Sequence, residues 1–327
     1  MSDRIVITAR PLCRGENEVV AALRERGYEV ITHPDPTPPR PDQLERYLAD
    51  AVGMIAGAER IPAEVLARAP RLRVISRHGI GTDGVDLAAA TELGIPVTYV
   101  PDVMADAVAD MTMGLLLAVA RRICEGNAAV KAGRWERELH ADVTGRVLGL
   151  IGTGRIGMAV AQRARAFRMR LLGHDPAPNP LFVEELGGDY VALDELLAAA
   201  DFVSLHVPLS SATHRLIDRE RLARMKPTAF LINTARGGLV DPDALYAALR
   251  EGRLAGAAFD VFPQEPPEPH PVWQLPNVIT TPHVASFTPK TVAAIARGAL
   301  GNLLAALNGE RVPHCANPEV YARGVRR

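Results

Sequence analysis

Several things are scarce in this 327-residue chain, and each scarcity removes a class of function. There are three cysteines, Cys13, Cys124 and Cys315, too far apart for a metal or redox spacing. They read as the reduced thiols of a cytosolic protein rather than as a disulfide framework. Net charge is missing too: 37 basic residues face 38 acidic ones, leaving -1 overall. Such a balance makes no field that gathers nucleic acid or anionic lipid. The longest apolar stretch, residues 111–120, is too short to span a bilayer. The first residues, MSDRIVITAR, are charged and then strand-like, with no secretory apolar core. No internal repeat or low-complexity segment occurs. What remains is a composition of 48% hydrophobic and 23% charged residues, ordinary for a soluble globular protein. A soluble, cytoplasmic chain is expected, long for one core and comfortable for two domains.

Strand and helix patterns alternate along the first hundred residues. Short β-rich runs at 5–9, 29–32, 54–56, 73–76 and 97–100 are separated by helical spacing at 16–26, 41–49, 63–69 and 86–93. Alternation of this kind predicts a parallel sheet covered by helices on both faces. The proline-rich stretch 33–41 reads as a stiff connector. Residues 105–122 are apolar nearly all round, as a helix buried on several sides must be, and are expected in a core and at a subunit interface. Asp106 and Asp110 suit its amino end, Arg121 and Arg122 its carboxyl end. A second α/β unit follows, with strands at 146–151, 170–173, 202–206, 230–233, 254–259 and 278–280. A last long helix spans 289–307.

The first strand of the second unit runs into Gly152-Thr153-Gly154-Arg155-Ile156-Gly157, with a helix after it and Asp175 behind the next strand. In that setting Gly152 permits the tight turn, Gly154 lets the backbone approach a pyrophosphate, and Gly157 lets helix and strand pack closely. Free N–H groups at the helix start then face the phosphates. Asp175 would accept hydrogen bonds from an adenine-ribose hydroxyl and repel a 2′-phosphate, which argues for NAD over NADP. Three more groups lie just past strands: Arg236 in NTARGG, Glu265 in DVFPQEPP and His283 in TTPHVAS. Reduction of a 2-keto acid needs a cation for the carboxylate and carbonyl, and a proton donor. Arg236 suits the first task because guanidinium is permanently charged and forked. His283 suits the second, with Glu265 to orient it and favour its protonated form. In the first unit the turn SRHGIGTDGVD offers the N–H groups of Ile80 and Gly81 as a carboxylate cradle. No nucleophile stands in a suitable motif, and no metal site is expected.

Together these residues resemble the D-isomer-specific 2-hydroxyacid dehydrogenase family along essentially the whole chain. The matching pieces are ISRHGIGTDGVDL, VADMTMGLLLAVAR, GLIGTGRIG, LHVPLSSATHRLI, LINTARGGLVDPDALYAAL, AAFDVF with QEPP, and TPHVAS. The resemblance implies two Rossmann-like or flavodoxin-like α/β domains with parallel sheets. The NAD-binding domain, 100–289, is inserted into a substrate-binding domain formed by 1–99 and 290–327, with the cleft between them. It implies a homodimer, and a small 2-keto or 2-hydroxy acid as substrate. Arg236, Glu265 and His283 fall on the family's Arg-Glu-His set, and Arg155 and Ile156 on backbone contacts to the pyrophosphate. Asp175 falls on the ribose acid, and Ile80 and Gly81 on the carboxylate cradle. Val207, Pro208, Thr213, Thr234, Ala235 and Asp260 fall on cofactor-lining positions, Asp260 near the nicotinamide amide.

The subfamily signals are mixed. PDVMADAVAD, with Met104, Ala105 and Asp110, is closer to hydroxypyruvate and glyoxylate reductases. GAERIPAEVL and ISRHGIG look like phosphoglycerate dehydrogenases, which often carry an extra regulatory domain; none is expected here. A phosphorylated substrate would want further cations, for which Arg10, Arg60, Arg77 and His78 are candidates. An NAD(H)-sensing corepressor, or phosphite or formate oxidation on the same scaffold, are the other readings.

Overall fold

The computed structural model describes residues 2–135 and 137–326. The chain forms two compact units, Met1–Val103 with Pro289–Arg327, and Met104–Thr288. Both are α/β, each built on one parallel sheet. Among the described residues no helix is long and apolar enough to cross a membrane.

The first unit holds β1 (Arg4–Ile7), β2 (Glu29–Thr32), β3 (Ala51–Ala56), β4 (Val74–Arg77) and β5 (Val97–Thr98), in the order β2-β1-β3-β4-β5. Every residue of β3 and β4 is buried, as expected of strands covered on both faces. The two-residue alternation of side chains divides them between two layers. Val6, Met54 and Ile75 pack with Leu44, Leu48, Val65 and Leu66 from helices Pro41–Leu48 and Ala63–Ala67. On the other face helix Pro289–Leu307 lies so close that a Cβ on Gly53 would sit 2.9 Å from Leu303 Cδ1. Ser76 Oγ donates to Ala299 O of the same helix at 2.8 Å. The carboxyl ends of β1 and β3 are tied by Glu59, 2% exposed, whose Oε1 accepts from Thr8 Oγ1 at 2.5 Å and Gly57 N at 2.9 Å.

The second unit holds β6 (Val147–Ile151), β7 (Arg170–His174), β8 (Asp189–Tyr190), β9 (Phe202–Leu205), β10 (Phe230–Asn233), β11 (Gly256–Phe259) and β12 (Val278–Thr280). Their order is β12-β11-β10-β9-β6-β7-β8. Every pairing is parallel, so all seven carboxyl ends lie along one edge. Strand order reverses between β6 and β9, the position at which open α/β sheets hold ligands. Alternate residues again separate two layers. Val203, Leu205, Leu231 and Phe259 face helices Leu193–Ala199 and Pro242–Arg250. Leu148, Leu150, Phe202 and Ile232 face Ala105–Ala120 and Arg155–Ala166.

One local reading changes. The apolar helix ends at Ala120, and Arg122 takes φ 47, which breaks it from a second helix, Ile123–Lys131. Asp106 and Asp110, four apart on one face, both pair with Arg163 of the neighbouring helix, at 3.0 and 2.6 Å. The two-residue strand β8, an acidic residue followed by Tyr190, has no apolar run to mark it in the sequence.

Candidate active site

The groups singled out in the second unit follow from its strand ends. β6 runs into Gly152, β7 into Asp175, β9 into Val207 and Pro208, β10 into Thr234, Ala235 and Arg236, β11 into Asp260, and β12 into His283. Parallel strands thus deliver them to one sheet edge.

At β6 the chain turns through Gly152 at φ 96, where a Cβ would lie 2.5 Å from His206 O. A Cβ on Gly157 would sit 2.1 Å from Gly152 O, so helix Arg155–Ala166 packs directly on the turn. Gly154 is different: a Cβ there meets nothing within 4 Å. It is the N-cap residue of that helix and, as glycine, brings no side chain to cap it. Glycine therefore stands where the fold does not need it, at the start of a helix, as a pyrophosphate cradle would require. Asp175, partly buried, accepts from Thr153 N at 2.7 Å and from Ala177 N at 2.9 Å. Thr213 Oγ1 donates to Pro208 O at 2.6 Å, shaping the loop after β9. Thr234, 8% exposed, bonds through its hydroxyl to Thr112 at 2.9 Å.

His206 also follows a strand, but burial pushes its pKa down to about 3. It is a neutral ring bonded to Ser204 Oγ at 2.9 Å, unsuited to proton transfer near pH 7.

His283 has the opposite environment. Its Nδ1–H donates to Glu265 Oε2 at 2.6 Å, leaving Nε2 for another partner. The His283 side chain is 44% exposed and that of Glu265 27%. Burial lowers the His283 pKa, yet the bond to Glu265 and the charges of Glu265 and Asp260 outweigh that and the nearby Arg236, so the net direction is up. His283 has φ 53, a left-handed backbone rare outside glycine. Asp260, fully buried and expected at the nicotinamide, holds that loop: Oδ1 accepts from Thr281 Oγ1 at 2.6 Å and Val284 N at 2.9 Å, and Oδ2 from Ala285 N at 2.8 Å. Glu265 is fixed in turn, its Oε1 accepting from Phe262 N at 3.1 Å.

Arg236 is partly buried, with Nη1 donating to Ala235 O at 2.7 Å. The turn bearing it is shaped by Asn233, whose side chain accepts from Ala235 N at 3.0 Å and donates to Arg236 O at 2.8 Å. Sequence reading passed over Asn233, although an Asn at a strand end before small residues is a turn signature. Gly237 joins this turn to the Glu265 loop, since a Cβ there would fall 1.9 Å from the Phe262 carbonyl carbon.

Ile80 and Gly81 belong to the first unit, in the loop after β4. Ile80 is 39% exposed, and Gly81 O accepts from Arg77 Nε at 2.9 Å. Of the candidate phosphate cations, Arg77 is buried and bonded to that carbonyl. Burial drives His78 down to about 4, so it is neutral at pH 7, whereas Arg10 and Arg60 are exposed. Among the described residues no cluster of three or more His, Cys, Asp or Glu side chains suits a metal ion.

Comparison with known proteins bears on this edge of the sheet. Residues 113–285 match the family model described as D-isomer specific 2-hydroxyacid dehydrogenase, NAD binding domain. A glyoxylate reductase of Korarchaeum cryptofilum is 41% identical over 98% of this chain and 97% of its own. The crystal structure of TT0316 protein from Thermus thermophilus superposes with a TM-score of 0.87 at 46% identity, covering 96% of this chain and 99% of its own. The NADPH-dependent glyoxylate/hydroxypyruvate reductase of Sinorhizobium meliloti, crystallised with NADP and malonate, gives 0.85 at 30% identity, with 100% and 99% covered. With its dinucleotide turn, Arg236, Glu265 and His283 on one sheet edge, the chain belongs to the D-isomer specific 2-hydroxyacid dehydrogenase family.

Proposed function

We propose that this protein is an NADH-dependent reductase of a small 2-keto acid, of the glyoxylate or hydroxypyruvate kind, yielding the D-2-hydroxy acid. The observation that carries it is the 2.6 Å bond from His283 Nδ1 to Glu265, which orients a proton donor and favours its charged form. In this reading residues 104–288 bind the dinucleotide and the remainder binds substrate. Gly154, Arg155 and Ile156 hold the pyrophosphate and Asp175 the adenine ribose. Val207, Pro208, Thr213, Thr234, Ala235 and Asp260 surround the rest. Bound there, the reduced nicotinamide supplies the hydride. Arg236 takes the substrate carboxylate and polarises the carbonyl oxygen; within the first unit the N–H groups of Ile80 and Gly81 offer a carboxylate cradle. His283 Nε2 releases its proton to the carbonyl oxygen as that oxygen gains charge, and Glu265 steadies the imidazolium until then.

A homodimer is part of this reading. Ile123, Val130, Trp135 and Leu139, close together in sequence, are 55%, 59%, 82% and 101% exposed, and a subunit partner would cover them. The three free thiols favour a reducing, cytoplasmic setting.

The test is turnover of glyoxylate, hydroxypyruvate and its phosphorylated form with NADH and with NADPH, beside the molar mass in solution. Reduction of the small acids with NADH supports the reading. Binding of NADH without turnover of any acid would point to a sensing protein instead, and preference for the phosphorylated acid to phosphoglycerate chemistry.

A further inference from the structure

The carboxylate of Asp175 is held by more than its own turn. Its Oδ2 accepts from the hydroxyl of Thr153 at 3.3 Å as well as from Thr153 N. Thr153, 1% exposed, stands inside the dinucleotide turn, between Gly152 and Gly154. Its hydroxyl lies 2.6 Å from Tyr190 Oη, and Tyr190 belongs to the outermost strand, β8. Tyr190 Oη accepts from Asn179 N at 2.8 Å.

The direction of each bond can be assigned. A carboxylate only accepts, so Thr153 O–H donates to Asp175. The Thr153 oxygen then accepts, and Tyr190 O–H is its donor at 2.6 Å in preference to the more distant Asn179 O at 3.4 Å. Tyr190 receives in turn from the Asn179 N–H. The result is one chain of donors from backbone to carboxylate, each bond polarising the next. The tyrosine ring is fixed in place. It lies 5.0 Å centroid to centroid from Phe182, and a Cβ on Gly173 would meet its edge at 3.0 Å. Gly173 stands two residues before Asp175 on β7.

We propose that Tyr190, acting through Thr153, is a positioning residue for the ribose-binding carboxylate of Asp175, and thereby sharpens the choice of NADH over NADPH. A carboxylate held by two amides and an oriented hydroxyl presents fixed lone pairs to the ribose hydroxyls. It also resists swinging aside for a 2′-phosphate. With the hydroxyl chain cut, Asp175 keeps its two amide bonds but loses its lateral support. This rests on the assignment of Asp175 to the ribose.

The experiment is fluorescence titration of the whole protein with NADH and with NADPH, without keto acid, followed by steady-state kinetics. Tyr190→Phe and Thr153→Val should each weaken NADH roughly 3- to 10-fold, the range of one neutral hydrogen bond, and narrow the ratio of the two dissociation constants. In the kinetics the loss should appear in KM for the dinucleotide rather than in KM for the keto acid, and Thr153→Ser should keep the native ratio. If both variants keep the native ratio while Asp175→Ala abolishes it, Thr153 and Tyr190 only pack, and the proposal falls alone. If Asp175→Ala leaves the ratio unchanged, the assignment of Asp175 falls and takes the proposal with it.

Discussion

Alanine substitutions at Gly154 and Gly157, three residues apart, should have opposite consequences. At Gly157 the added methyl would stand 2.1 Å from the backbone oxygen of Gly152, so helix Arg155–Ala166 has to move away from its strand. Overpacking against an atom that cannot yield costs about 1–3 kcal/mol. In a domain of this size each kcal/mol lowers the unfolding midpoint by about 2–4 °C. Gly157→Ala should therefore melt roughly 2–12 °C earlier without any cofactor. At Gly154 the methyl meets nothing within 4 Å, and φ -67 with ψ -166 suits any residue. Reduced freedom of the unfolded chain should make Gly154→Ala neutral or more stable by about 0.4–1 kcal/mol. That methyl would nonetheless occupy the approach of a pyrophosphate to the helix amides. Loss of one amide bond to a charged group is worth about 1.5–3 kcal/mol, or roughly 10- to 150-fold in NADH affinity. Thermal unfolding of the apo protein and NADH titration read the two effects separately. A Gly154→Ala protein that binds NADH as tightly as the parent would refute the placement of the pyrophosphate.

His283→Ala should bind NADH normally but turn over keto acid roughly 10²–10⁴-fold more slowly, and near-native kcat would remove His283 from proton transfer. Because Glu265 raises the His283 pKa, Glu265→Gln should let the imidazolium lose its proton at lower pH. The alkaline limb of the reduction profile should then move to lower pH, and an unmoved limb would deny the coupling. Arg236→Lys should stay folded and lose most of kcat/KM, since an ammonium cannot make a planar two-point contact; a loss of only a few-fold would exclude that contact. His206 is neutral in the folded protein down to about pH 3, whereas the unfolded chain protonates it near 6.5. Its contribution to stability is present above pH 6.5 and is lost as pH falls toward 3, by at most about 1.4 kcal/mol per unit. His206→Gln should flatten that acid slope in unfolding titrations.

The dinucleotide turn and the ends of β10, β11 and β12 were readable because their signals are local. A strand, three spaced glycines and a helix occupy one short window, and Arg236, Glu265 and His283 each trail a short strand-like run. Parallel order then follows from alternation, which brings those strand ends to one edge. Other features had no such signal. Arg122 reads in the sequence as a favourable charge at a helix end, but its left-handed backbone splits that helix from the next. Asp260 was assigned to the cofactor from its position in the family pattern, and its hold on the His283 loop spans 21–25 residues of sequence.

What the sequence by itself determined is which chemistry this protein carries: a forked cation, an imidazole with an acid, and a glycine turn before a helix are residue types whose chemistry needs no partner to be recognised. What only the tertiary structure decided is how those groups are held. Tyr190 reaches Thr153 across 37 positions, Asp260 fixes the backbone of His283, and the Glu265 carboxylate divides two strand-end histidines, one left neutral by burial and one favoured as a cation. Hydrogen-bond partners and desolvation depend on distances in space, and folding sets those distances by bringing together residues that the sequence keeps far apart.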